Sequence, residues 1–261
     1  MRVLLCSDIH GNAEALGAVL KEPADYVLCA GDLVHFGPQP KTCISLIRKR
    51  AAVVVRGNHD HGAGFGENCR AYGPWQALDE RCRTMIDTTI PEADCEYLRS
   101  LPIMAATTLG KVRFTVVHAA PSDPLYHYLL PGTSDEVWGA ELSMVDSDVL
   151  VLGHTHLPLL YPHMHPLVVN PGSVGLPRDG GPRAEYAMGG WSCRVPQVHL
   201  RPDASVESNR EAAVASCHAP PARCALRGTM AAGNLREIRN RAAESPVWTG
   251  SECSAPGTGL P

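Results

Sequence analysis

The chain has 261 residues, 44% hydrophobic and 19% charged, enough for one large domain, or a domain plus an extension, around a sizeable core. A formal net charge of -4 gives no bulk attraction to nucleic acid or anionic membrane, and no run reaches the roughly 18 apolar residues of a membrane span. MRVLLCSDIH meets a carboxylate at Asp8, before a signal h-region and cleavage site could fit, so a cytoplasmic protein is expected.

VLLCSD (3–8) reads as a strand buried on both faces. After His10-Gly11-Asn12, the stretch AEALGAVLKE sets Ala15, Leu16, Val19 and Leu20 at helical spacing. YVLCAGD (26–32) is a second strand, PKTCISLIRKR (40–50) a second helix with basic residues in its last turn, and AVVVRGNHD (52–60) a third strand. This β-α-β-α-β order predicts an α/β domain with a largely parallel first sheet. Residues 61–75 are Gly-rich and read as a surface loop, with His61, Phe65, Tyr72 and Trp75 as candidate pocket residues. Residues 76–100 read as two helical pieces broken at Pro91. Further strands are expected over 112–121, 148–156 and 166–175, with a short helix over 136–144. A domain over 1–188 follows. From Gly189 the periodicity is lost, so 189–261 is expected to be a diverged or disordered tail with helical potential only over 234–244, leaving the second sheet short of an edge strand. The ten cysteines form no C-x-x-C pair and are expected to be reduced, mostly structural thiols.

Each informative polar cluster closes an apolar run: Asp8-x-His10, Asp32, Asn58-His59-Asp60, His118 and His154-x-His156. In open α/β sheets that edge is where sites form. Alone, none of these clusters means much; five of them at one edge do. Two Asp, one Asn and four His are N/O donors of the kind that bind Mn, Fe, Zn, Co or Ni. Seven donors exceed one tetrahedral ion and suit two ions sharing a carboxylate, a standard arrangement for phosphoryl chemistry. An additional imidazole, His59, could protonate a leaving alkoxide.

SDIHGN, CAGDLVHFGP, VVRGNHD, VVHAAPSDPLY, LVLGHTHLP and VVNPGSVGLPRDG together resemble the calcineurin-like metallophosphoesterase superfamily, nearest its small bacterial and archaeal phosphodiesterases. The resemblance implies a four-layer α-β-β-α sandwich of two mixed sheets, with a dimetal site at the strand ends. It places Asp8, His10 and His156 on one metal, Asp32 as the bridge, and Asn58, His118 and His154 on the other, with His59 as general acid. The implied activity is hydrolysis of a phosphate ester, foremost a phosphodiester, by metal-bound hydroxide, with Mn expected and Ni, Co, Zn or Fe as alternatives. A phosphomonoesterase (a phosphoprotein phosphatase or a dinucleotide polyphosphate hydrolase) would use the same eight residues. A non-catalytic scaffold on this fold, like the retromer subunit, would be expected to have lost some of them. A phosphate-ester substrate is the partner expected, with no membrane or nucleic acid, and a homo-oligomer is compatible with the sequence. Arg178 is a candidate phosphate contact, and His35 a candidate group hydrogen-bonding a ligand or the substrate. Tyr126 and His127 are candidates for covering the site. Gly11, Gly31, Gly57 and Gly153 flank the ligands where the backbone must turn or pass close. His163 and His165 are expected in a hairpin away from the metals.

Overall fold

Alternation along the apolar runs sorts the core into three layers of side chains. The computed structural model describes residues 1–70, 81–86, 89–162, 164–181, 183–192 and 195–207. In β1 (Arg2–Cys6), Val3 and Leu5 join Leu28 of β2 (Tyr26–Cys29) against Phe114 and Val116 of β5 (Val112–Val117) and Val149 and Val151 of β6 (Val149–Val151). The intervening Leu4 and Cys6, with Val27 and Cys29, pack instead on Leu16 and Val19 of α1 (Ala13–Val19) and on Ile44 and Ile47 of α2 (Pro40–Arg50). On the far side, Leu150 and Leu152 meet Val168 of β8 (Leu167–Asn170) and Trp138 of α5 (Asp135–Leu142). Period-2 alternation inside runs that are apolar throughout therefore builds an α-β-β-α sandwich.

The first sheet has the order β10-β9-β1-β2-β3 and the second β4-β5-β6-β8-β7, where β3 is Val53–Val54, β4 Met104–Leu109, β7 Leu159–Tyr161, β9 Arg183–Ser192 and β10 Val195–Glu207. β1, β2 and β3 are parallel, as are β5, β6 and β8; β4, β7 and the β9–β10 hairpin run antiparallel to their neighbours. Both sheets are thus mixed.

Three local expectations are corrected. Residues 58–60, expected to end a strand, and 61–65, expected to be loop, instead form helix α3 (Asn58–Phe65): Asp60 Oδ2 accepts the Gly57 N–H at 3.1 Å, and Gly66, at φ 69°, closes the last turn. His61 there pairs with Glu67 at 3.3 Å, and Phe65 is exposed beneath the Arg56 guanidinium. β4, MAATTL, was not foreseen; its exposed and half-exposed Ala and Thr give no apolar run, yet it pairs with β5 along its length. Strand structure also does not stop at 188, since β9 pairs with β1 and β10 extends the sheet to Glu207. Pro196 and Pro202 hide that strand in the sequence, but β10 is an edge, where a missing N–H is tolerated. Tyr72 and Trp75 lie outside the described residues, as do 208–261 with the 234–244 segment. Helix covers 81–86 and α4 (Glu92–Ser100), on either side of Pro91. No helix among the described residues is long and apolar enough to cross a membrane.

Candidate metal centre

The loops leaving the parallel strands converge at one edge of the sandwich. Asp8 and His10 follow β1, Asp32 follows β2, Asn58 and His59 open α3 after β3, His118 follows β5, and His154 and His156 follow β6. Main-chain bonds lock these loops together: Asp8 N–H donates to Gly31 O at 3.0 Å, His10 N–H to Asp32 O at 2.9 Å and Gly153 N–H to His118 O at 2.8 Å. Eight described non-glycine residues have positive φ, and five are Asp8, His10, Asp32, His154 and His156. The left-handed conformation costs such residues about 1–2 kcal/mol each, so backbone strain is concentrated where these side chains must converge. Close approach explains two glycines. A Cβ on Gly57 would stand 2.0 Å from Asp32 Oδ1, and one on Gly153 2.0 Å from Ser7 Oγ.

All of these polar side chains are buried. Asp8, His10 and His156 bring one ligand atom each to within 4.8 Å of one another, as do Asp8, Asp32 and His118. His156 Nε2 lies 3.4 Å from Asp8 Oδ1 and His118 Nε2 3.3 Å from Asp32 Oδ2. Asn58 Oδ1 joins from the other side, 3.0 Å from His118 Nε2. His154 is tied in by its N–H, 3.0 Å from Asp8 Oδ2, and its ring lies 5.0 Å from that of His118. Its Nε2 faces the Tyr126 carbonyl at 3.3 Å, which leaves Nδ1 as its donor nitrogen. His165 is exposed in the β7–β8 connection, away from this cluster; His163 lies outside the described residues.

Tautomers decide what the cluster accepts. Nδ1 of His10, His118 and His156 each meets a main-chain carbonyl, of Val34 at 3.2 Å, Ala30 at 2.7 Å and Leu176 at 2.6 Å. A carbonyl only accepts, so each Nδ1 carries a proton, and each Nε2 presents a lone pair whenever its ring is neutral. His10 Nε2 and His156 Nε2 lie 3.0 Å apart. Two lone pairs aimed at one point, beside two carboxylates, fit divalent metal ions.

Electrostatics point the same way. Burial pushes Asp8 up to about 7, despite the opposing His118 charge. Burial also pushes His10 down to about 4 and His154 down to about 3. Burial opposes ionisation of Asp32 as well, but His118, His59 and His10 outweigh it and hold that carboxyl well below its usual range. Burial would lower His118 too, yet the Asp32 carboxylate raises it to about 9, so this ring readily holds a second proton, on Nε2, which an incoming ion would displace.

Asp60, to which the sequence reading gave no role, fixes the loop bearing Asp32. Its Oδ2 accepts from Asp32 N–H at 2.8 Å and its Oδ1 from Leu33 N–H at 2.8 Å. The only sequence signal is its place two residues after Asn58. Asn58 Nδ2 donates to Cys69 O at 2.9 Å, which orients Oδ1 toward His118. The His59 N–H donates to Asp32 Oδ1 at 2.9 Å, and its Nδ1 lies 2.8 Å from Nδ1 of the buried His35. Arg178 is exposed at the rim, tied by its N–H to His156 O, and its charge is felt by Asp8, His10, His154 and His156. The Tyr128 ring covers His154 at 3.9 Å between centroids, and the Arg70 guanidinium lies 3.9 Å above Tyr126. The half-exposed His127 is 3.3 Å from Glu141.

A sandwich of two mixed sheets with buried N/O donors at the strand ends is the build of a metallophosphoesterase. The chain belongs to the calcineurin-like phosphoesterase superfamily, whose domain model matches residues 1–190. It is 30% identical over 206 residues to the uncharacterized protein MJ0912 of Methanocaldococcus jannaschii, covering 71% of this chain and 81% of that one. It is 26% identical over 205 residues to the phosphodiesterase YfcE of Escherichia coli K12, covering 72% and 86%. Among solved structures, a metallophosphoesterase from Sphaerobacter thermophilus superposes with a TM-score of 0.68 at 28% identity, covering 84% of this chain and 95% of that one.

Proposed function

We propose that the protein is a dinuclear metal-dependent phosphodiesterase. Asp8, His10 and His156 would hold one divalent transition-metal ion and Asn58, His118 and His154 the other, with Asp32 bridging them. Bound there, the ions supply Lewis-acid polarisation of the phosphate and activation of water. The observation that carries this reading is the set of three imidazoles fixed through Nδ1 to main-chain carbonyls, with their Nε2 atoms turned inward.

The chain's own groups complete the chemistry. Arg178, at the rim, offers its guanidinium to a non-bridging phosphate oxygen. His59, with Nδ1 turned to His35, delivers a proton from Nε2 to the departing alkoxide. Burial keeps His59 well below the usual histidine range, so any proton it takes up is readily given away. Preference for a diester finds support in the similarity to phosphodiesterase YfcE.

The test is to strip the metals and add Mn, Ni, Co, Zn or Mg singly. Hydrolysis of bis-p-nitrophenyl phosphate is then compared with that of p-nitrophenyl phosphate. Metal-dependent cleavage, faster on the diester, is expected, with manganese foremost. Faster cleavage of the monoester would replace the diesterase by a phosphomonoesterase, and no cleavage with any metal would refute the enzyme. His59→Ala should lower turnover by a factor of about 10²–10⁴ while two ions per chain are retained.

A further inference from the structure

Behind the general acid stands a second kind of metal-binding chemistry. His35, His59 and Cys69 are all buried, and one ligand atom from each lies within 4.8 Å of the other two. They reach this point from three segments: the loop after β2, the start of α3, and the chain beyond α3. The two Nδ1 atoms are already 2.8 Å apart. Tetrahedral bonds of about 2.0–2.1 Å to nitrogen and about 2.3 Å to sulfur separate ligand atoms by about 3.3–3.6 Å. The side chains thus need adjustments of about 1.2 Å at most, small beside a rotamer change, to meet one ion.

We propose that His35, His59 and Cys69 form a third metal site, selective for a thiophilic ion of the zinc or cobalt(II) class, and that its occupation switches the general acid off. Two imidazoles and one thiolate with solvent as the fourth ligand make a three-protein-ligand zinc set. The thiolate separates this site from the N/O cluster, because sulfur favours zinc over manganese or magnesium. None of its ligands belongs to the proposed dinuclear set, although His59 also lies within reach of His10 and Asp32.

The switch follows from proton accounting. An ion on His59 Nδ1 takes the lone pair there, so the ring holds one proton, on Nε2, and cannot become an imidazolium. Releasing that proton would leave an imidazolate, a far poorer leaving state than neutral imidazole. An ion that completes the catalytic centre at low concentration would then inhibit at higher concentration. The inhibitory consequence rests on His59 being the general acid; the site itself does not.

Full-length protein loaded with manganese, titrated with cobalt(II), provides the test. A thiolate-to-cobalt charge-transfer band should grow to one equivalent per chain, vanish in Cys69→Ser, and need at least tenfold more cobalt in His35→Ala. Excess zinc should inhibit diester hydrolysis, and the half-inhibiting concentration should rise at least tenfold in Cys69→Ser, read as a ratio within each variant. A missing band, or one unchanged in Cys69→Ser while circular dichroism shows both variants folded, overturns the site. A Cys69-dependent band without zinc inhibition overturns the switch. The same band in a protein that cleaves no phosphate ester upholds the site and refutes the phosphoesterase reading instead.

Discussion

Removing the Asp60 carboxylate tests whether the loop bearing Asp32 is held from behind. Three buried backbone N–H groups end on it: Asp32 and Leu33 at 2.8 Å and Gly57 at 3.1 Å. Asp60→Ala orphans all three. At about 1–3 kcal/mol for each buried donor, and allowing water to relieve part of the loss, destabilisation of about 3–5 kcal/mol is expected. Asp60→Asn can keep its oxygen on the Asp32 and Gly57 donors, but then turns an amide N–H toward that of Leu33. One conflict costs about 1–3 kcal/mol. Guanidinium denaturation of the metal-free proteins, compared at equal m-value, gives both numbers. Because Asp32 would bridge the metals, chelator competition should also show both variants binding metal about 10–100-fold more weakly, Ala more so than Asn. Equal stability of Ala and Asn, or an Ala variant within about 0.5 kcal/mol of the parent, would refute the reasoning.

Gly57→Ala sets a methyl 2.0 Å from Asp32 Oδ1, so metal content by elemental analysis should fall while far-ultraviolet circular dichroism persists; full metal content would count against the packing described. Stripping the metals should lower the melting temperature, since the proposed ligands come from both sheets; an ion at 100 times its Kd contributes about 2.7 kcal/mol, and calorimetry with and without chelator measures it. Burial pushes the Glu185 carboxyl up to about 8 from an ordinary 4.5. The folded chain therefore holds a proton that the unfolded chain releases near 4.5, and this contribution to stability is lost as pH rises through about 8. Glu185→Gln should flatten the fall of stability between those pH values in urea melts, and an unchanged slope would disprove it.

What the sequence disclosed follows burial. β1, β2, β5, β6 and β8 are doubly buried, so they read as unbroken apolar runs, and ligands mark the ends of all of these but β8. β4 escaped because Ala105 and Thr107 are half-exposed, Ala106 and Thr108 are exposed, and none of them is strongly apolar. α3 escaped because three of its features imitate a loop: Gly62, Gly64 and a polar first turn whose side chains are spent on the site. The seven proposed metal ligands were legible because each sits at a strand end and is a donor type that has little other reason to be buried there. Asp60 and the His35–His59 contact were not, since both act through pairings 24 to 28 residues apart that no local spacing encodes.

The carbonyls of Val34, Ala30 and Leu176 that hold the imidazoles have a consequence for how such a site changes over time. Every amino acid carries a carbonyl, so the hydrogen bonds themselves ask nothing of these three buried side chains beyond the packing that keeps the chain on the same path. The protonation pattern of the centre is thereby inherited from strand register and loop course, not from any residue that drift could erase. Retuning it takes a displacement of the backbone, which in a sandwich packed on both faces alters the whole edge at once.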